Sequence, residues 1–217
     1  MSGRWARYLR RGNARGQALV ELTLIVPVFL LILSGTIEFG FAFTHDLTIE
    51  YATREGARAG ALLANGGGKL GCGTGLSPNW TTVDPLVIAA VERVLQSPGS
   101  QVVISNVSKV VIYKANPTTG ANDQGLQDVW TPGSGPIPQG ATDHLSFVDS
   151  SYPNGDAWQA CSRTNGLPNP DSIGVSVTYT YVFQTPLASV MRFFGGSSNA
   201  TLTITDKTVM QLNPSAS

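Results

Sequence analysis

Gly16 and Glu21 stand five residues apart at the head of a long apolar run, GQALVELTLIVPVFLLILSGTIEFGFAF. The chemistry that this spacing permits is proteolysis followed by ion pairing. Hydrolysis of the Gly16–Gln17 bond would make Gln17 the first residue and Glu21 the fifth. It would also expose an α-amine that is cationic at neutral pH. Two roles for Glu21 follow. Its carboxylate either snorkels out of the apolar segment toward polar headgroups, or meets the new α-amine of a neighbouring subunit. Arg4, Arg7, Arg10, Arg11 and Arg15 precede the cut, and no acidic residue occurs in 1–16.

No other constellation points to catalysis. Asp143 and His144, with Ser146 or Cys161, offer the residue types of a hydrolase, but there is no G-x-S-x-G elbow and no cysteine-protease context. Neither C-x-x-C nor H-x-x-x-H occurs, and the glycines at 66–68 with Lys69 are not a phosphate loop because no Ser or Thr follows the lysine. The aspartates are scattered, without the spacing of a calcium loop. The expectation is therefore a non-enzyme with no catalytic residue, no metal and no cofactor. Cys72 and Cys161 are the only cysteines, both beyond the apolar run. They are expected to form a disulfide, closing a long loop and contributing about 4–5 kcal/mol in the chain-entropy view.

The apolar run must position these residues. Residues 22–37 carry no charge, and residues 18–43 exceed the ~20 residues that a helix needs to cross a bilayer. Five arginines before the span, and Asp46, Glu50 and Glu55 after it, orient the N-terminus to the cytoplasm. Pro27 inside the span predicts a kink. His45 falls at the membrane boundary as an interfacial polar residue. Glu38, near the outer end, is expected to snorkel or to serve structure.

Four short elements, in register over about 45 residues, carry a resemblance. They are G-x-A-x-V-E at 16–21, Pro27 within the span, I-E-F-G at 37–40 and A-x-R-E-G-A-R-A at 52–59. This stretch resembles the N-terminal domain of the TadE/TadG-like pseudopilins of tight-adherence (Tad) pilus systems. The resemblance implies a minor pilin-like component of a bacterial membrane, cut by a prepilin peptidase and needed for assembling an adhesive pilus. It places Gly16 just before the cut, Gln17 just after it, and Glu21 at the assembly position. The implied partners are the peptidase, other pilin-like subunits, Tad assembly proteins and membrane lipid. The likeness fades after residue 64.

The rest of the chain predicts an α+β, pilin-like fold. Residues 1–16 read as a basic leader, 17–44 as the membrane helix and 45–64 as its extracytoplasmic continuation. Leu47, Tyr51, Ala57 and Ala61 would line one side of that continuation. Residues 65–217 read as an extracytoplasmic domain. In it, a second helix capped by Asp84 presents Leu86, Val87, Ala90, Val91, Val94 and Leu95, and ends at the Ser-Pro-Gly of 97–99. It packs on a small antiparallel sheet built from QVVIS, KVVIYK, IGVSVTYTYVF and ATLTITDKTVMQL. Leu202, Ile204 and, after a break near Asp206, Val209 would face inward. Between the second and third of these lies a Gly/Pro/Asn-rich insertion at about 116–171, whose Trp130, Tyr152 and Trp158 bury something.

Overall charge is zero, but the leader carries +5 and residues 17–217 hold nine basic and fourteen acidic side chains, or −5. An acidic ectodomain argues against nucleic acid or anionic lipid as its partner, and no small-molecule substrate is expected. Two readings stand. One is a pilin-like structural subunit of a Tad machine; the other is an uncleaved, membrane-anchored extracytoplasmic binding module. Gly16 and Glu21 separate them, since a simple anchor requires neither.

Overall fold

The computed structural model of the chain describes residues 13–65, 80–153, 155–189 and 201–213. They form an α+β fold with helices α1 (Asn13–Leu63) and α2 (Val83–Leu95). The strands are β1 (Val107–Ala115), β2 (Asn122–Pro132), β3 (Phe147–Val148), β4 (Ser172–Val182) and β5 (Thr201–Gln211). The chain divides into two compact units, one of residues 1–42 and 182–200, the other of residues 43–181 and 201–217.

In the first unit α1 is apolar all the way round. Leu19, Leu24, Phe29, Ile32 and Phe39 are each more than 60% exposed although no water-soluble helix gains by this. The helix is long and apolar enough to cross a membrane once. Two of its hydroxyls are satisfied within the helix: Thr23 donates to Leu19 O at 2.7 Å and Thr36 to Ile32 O at 2.9 Å, as a lipid environment requires. Pro27 lies inside the helix without ending it. Glu38 is 2% exposed, and its two carboxylate oxygens accept the backbone N–H groups of Gln184 and Thr185, each at 2.8 Å. Its role in the fold is structural.

In the second unit the sheet is antiparallel, in the order β3-β2-β1-β4-β5. Val110 and Ile112 of β1 pair with Val177 and Val175 of β4 on one side, and with Trp130 and Asp128 of β2 on the other. These residues share the face that meets the helices. From α1 that face receives Ile49, Ala52, Thr53, Gly56, Ala57, Gly60 and Ala61, a stripe repeating every three or four residues. Most of its members are small for a reason. A Cβ on Gly60 would fall 2.4 Å from Ile173 Cδ1, and one on Gly56 would fall 2.6 Å from Val91 Cγ2. The backbone of α1 therefore lies closer to α2 and β4 than larger side chains permit. Thr53 joins the helix to β5 by donating to Asp206 and bonding Thr208.

Several expectations change. Leu47 and Tyr51 face outward, Tyr51 at 60% exposure, because the close approach selects small residues over large ones. In α2 the buried side includes Val83 and Ile88 rather than Leu86 and Val94, and Thr82 occupies the N-cap position. Asp84 is not the cap; it turns inward to an arginine described below. QVVIS is no strand: 101–103 are irregular and Ile104–Asn106 is a short 3-10 turn. The insertion at 116–171 is not one loop, since β2 and β3 lie within it and add two strands to the sheet. Gly125, at φ 73, sits where the β1–β2 register shifts, a conformation that side chains disfavour.

On β5 no break occurs at Asp206, which alternates inward with Ile204. Val209 instead packs on the opposite face with Val111, Tyr113 and Ala115. His45 is not an exposed polar residue. It is buried at 3% exposure, stacks on Tyr179, meets Tyr181 edge-on and bonds Gln101 O through Nε2 at 3.0 Å. α1 ends at Leu63, and Ala64 takes the left-handed conformation at φ 47 that more often belongs to glycine.

Candidate functional site

Gly16, Gln17 and Glu21 lie together near the start of α1, all three exposed. A Cβ placed on Gly16 would meet nothing within 4 Å. Among the described residues no hydrogen bond or ion pair engages Glu21. Its neighbours Val20, Leu22, Leu24 and Ile25 are more than half exposed, so a carboxylate stands alone on an apolar surface. Such a group gains from a cation supplied by another chain.

The second part of the matching segment does structural work. Glu55 holds Arg58 from the same helix, at 2.9 and 3.0 Å, and Arg93 from α2 at 2.7 Å. The Arg58 hydrogen bond is the main reason its carboxyl lies below the ordinary range. Gly56 and Ala57 follow on the buried side, so A-x-R-E-G-A-R-A combines an interhelical ion pair with a close-packing face.

The hydrolase types do not assemble. His144 donates from Nδ1 to Gly135 O at 2.7 Å, while Ser146 receives Gln96 Nε2 on its hydroxyl and gives its own N–H to Glu92 Oε1. Burial pushes Glu92 above the ordinary carboxyl range despite that bond. Cys161 is fully buried in the short turn Ala160–Ser162. Its expected partner Cys72 lies outside the described residues.

One cluster was invisible in the sequence. The guanidinium of Arg163, 0% exposed, lies over the Trp158 ring at 4.4 Å and donates to Trp158 O at 3.1 Å. It forks onto Asp84, Nη1 to Oδ1 at 2.7 Å and Nη2 to Oδ2 at 2.9 Å. Asp128 Oδ2 is 3.7 Å from Nη2, and Asp128 Oδ1 accepts the N–H of Trp158 at 3.2 Å. Asp149 and Asp156 complete the group, joined through Ser151 Oγ, which donates at 2.6 Å to the first and reaches the second at 3.4 Å. Burial first, and neighbouring carboxylates second, push Asp128 up to about 6 and Asp156 up to about 7. Trp130, fully buried, and Tyr152 close over this group, their rings 5.3 Å apart. The residues come from α2, β2 and the loop before β4, and no local spacing in the chain announces them.

Residues 16–58 match the family described as TadE-like protein. No curated protein and no solved structure matches the chain. The matched segment contains Gly16, Gln17 and Glu21, Glu38, and the Glu55–Gly56 contact with α2, and it stops before the sheet begins.

Proposed function

We propose that this chain, which carries a TadE-like domain at residues 16–58, is a minor pilin-like structural subunit of a Tad-type pilus and secretion machine. The observation that carries the reading is the lone carboxylate of Glu21 on the exposed, uncharged wall of α1, five residues beyond Gly16 inside the matched segment. In this reading α1 holds the subunit in the bacterial membrane with its N-terminus cytoplasmic. A prepilin peptidase cuts between Gly16 and Gln17, and the new α-amine of one subunit pairs with Glu21 of the next. Exchange of lipid for protein around α1 then accompanies assembly with other pilin-like subunits and Tad assembly proteins. The domain of 43–181 and 201–217 is the part displayed outside the cytoplasm. The role is structural rather than catalytic.

The test has two readouts. N-terminal sequencing of the membrane-extracted protein should begin at Gln17, and Gly16→Val should accumulate as the longer form. Glu21→Ala should still insert and be cut, yet fail to co-purify with partner pilins or to support surface attachment at matched abundance. Glu21→Asp should fall between. A native protein that retains its leader arginines favours the anchored binding module instead. A Glu21→Ala subunit that assembles like the parent removes the pairing step.

A further inference from the structure

Among the described residues, the buried aspartates around Arg163 have a single guanidinium between them. Four carboxylates, those of Asp84, Asp128, Asp149 and Asp156, share one guanidinium, and each is at least nine-tenths buried. Asp84 accepts a hydrogen bond from Arg163 on Oδ2 and meets its Nη1 with Oδ1 as an ion pair. Among the described residues four carboxylate oxygens have no hydrogen-bond donor: Asp84 Oδ1, Asp128 Oδ2, Asp149 Oδ2 and Asp156 Oδ2. An unpaired buried carboxylate is costly, and with all four ionised the group would hold three negative charges in excess.

Geometry shows what would relieve them. One carboxylate oxygen from each of Asp84, Asp128 and Asp156 lies within 4.8 Å of the others. Calcium takes about six to eight oxygens in a flexible arrangement, several of them carboxylate, whereas magnesium keeps most of its waters and uses one or two carboxylates. Asp149 is not one of these three, yet its buried Oδ2 is also without a donor, and Ser151 ties its carboxylate to that of Asp156. We infer that Asp84, Asp128 and Asp156, supported by Asp149, bind a calcium ion that fixes the loop of β3–β4 against α2. A hard-oxygen set without histidine or thiolate suits calcium and not zinc. One divalent ion leaves a single excess charge. The sites argued above at Gly16 and Glu21 play no part in this binding.

The experiment uses the full chain in detergent, stripped with EDTA. Terbium added to it should give luminescence sensitised by Trp158 and Tyr152, and calcium should compete that signal away. Calcium at about a hundredfold excess over its Kd should raise Tm by roughly 5–10 °C. Magnesium at the same concentration should raise it by less than half as much. Asp156→Asn, close in shape to the parent, should weaken calcium binding at least tenfold and abolish most of the Tm response. Should that variant not fold, the terbium and Tm responses of the parent decide alone. A parent whose Tm ignores calcium and whose terbium signal is not competed overturns the assignment. So does an Asp156→Asn protein that keeps the full response, or magnesium acting as strongly as calcium.

Discussion

Arg163 grips Asp84 with both terminal nitrogens, at 2.7 and 2.9 Å, and neither side chain is more than 1% exposed. The pair ties the segment after β3 to the first turn of α2, 79 residues away. Removing one member of such a pair strands the other in a dry interior, at a cost of about 3–5 kcal/mol.

Arg163→Met should therefore destabilise by about 3–5 kcal/mol, a fall in Tm of roughly 6–20 °C for a domain of this size. Arg163→Lys keeps the charge but not the fork, and should fall between. Thermal unfolding followed by tryptophan fluorescence measures both. The double variant Arg163→Met with Asp84→Asn should lose less than the sum of the singles. Additivity of the two would show that the pair is not coupled.

The packing of α1 makes a second prediction. Gly60→Val puts a branched side chain where even a Cβ would be 2.4 Å from Ile173 Cδ1. It should cost about 1–3 kcal/mol, as overpacked cores do. Gly60→Ala should cost less, and Gly40→Ala nothing measurable, because a Cβ there meets nothing within 4 Å. Chemical denaturation of the three variants ranks them. Equal midpoints for all three would mean that the close approach is not what selects glycine.

Glu92 supplies the pH prediction. Burial raises its pKa above the unfolded value of 4.5, while Ser146 N–H supports the ionised form only in part. The folded state then holds its proton more tightly than the unfolded chain. Its contribution is full below about 4.5 and is lost as pH rises through the higher folded value. Glu92→Gln copies the neutral form, so its stability relative to the parent should improve as pH rises above about 4.5 and change little below. Paired melting curves across that range provide the check. Relative stability that moves the other way would mean that the buried carboxylate is stabilised as an anion.

A Cys72–Cys161 bond is expected of the native protein. Cys161 is the buried end, and Cys72 is the only other cysteine. Proteolysis without reductant should release the two peptides linked, and the Cys72→Ser, Cys161→Ser protein should lose about 2–5 kcal/mol. Alkylation of both thiols in the unreduced, unfolded protein would refute the bond.

The sequence disclosed what is local or long. Helix α1 is an uncharged run, and β4 alternates cleanly from Val175 to Tyr181, so both are written in one dimension. β2 is not. Its NDQGLQDVWTP has few apolar residues and two acids, and becomes a strand because β1 offers a partner. The buried face of α1 is legible only in part: Ala57 and Ala61 lie on it as expected, while Leu47 and Tyr51 do not. Periodicity weights large apolar residues, whereas this interface selects Gly56 and Gly60 by their lack of volume. The Arg163 group brings together residues from 84 to 163 and leaves no spacing to read. At the start of α1 the reverse holds: Gly16 and Glu21 stand out by position in the chain, and among the described residues no side chain bonds Glu21.

β1 is the middle of the sheet, and its two partners reach it at very different times. β2 follows across a short turn, so that hairpin can close within microseconds of being made. β4 arrives only after residues 116–171 have been synthesised, and brings Val175, Val177, Tyr179 and Tyr181 to finish the interior. Until then one long edge of β1 is bare, its backbone groups on the β4 side unpaired. An unpaired apolar edge is a template for the wrong strand. The nascent domain thus has an interval of vulnerability set by the length of its insertion. A chain stopped before residue 172 would lack the strand that closes that edge.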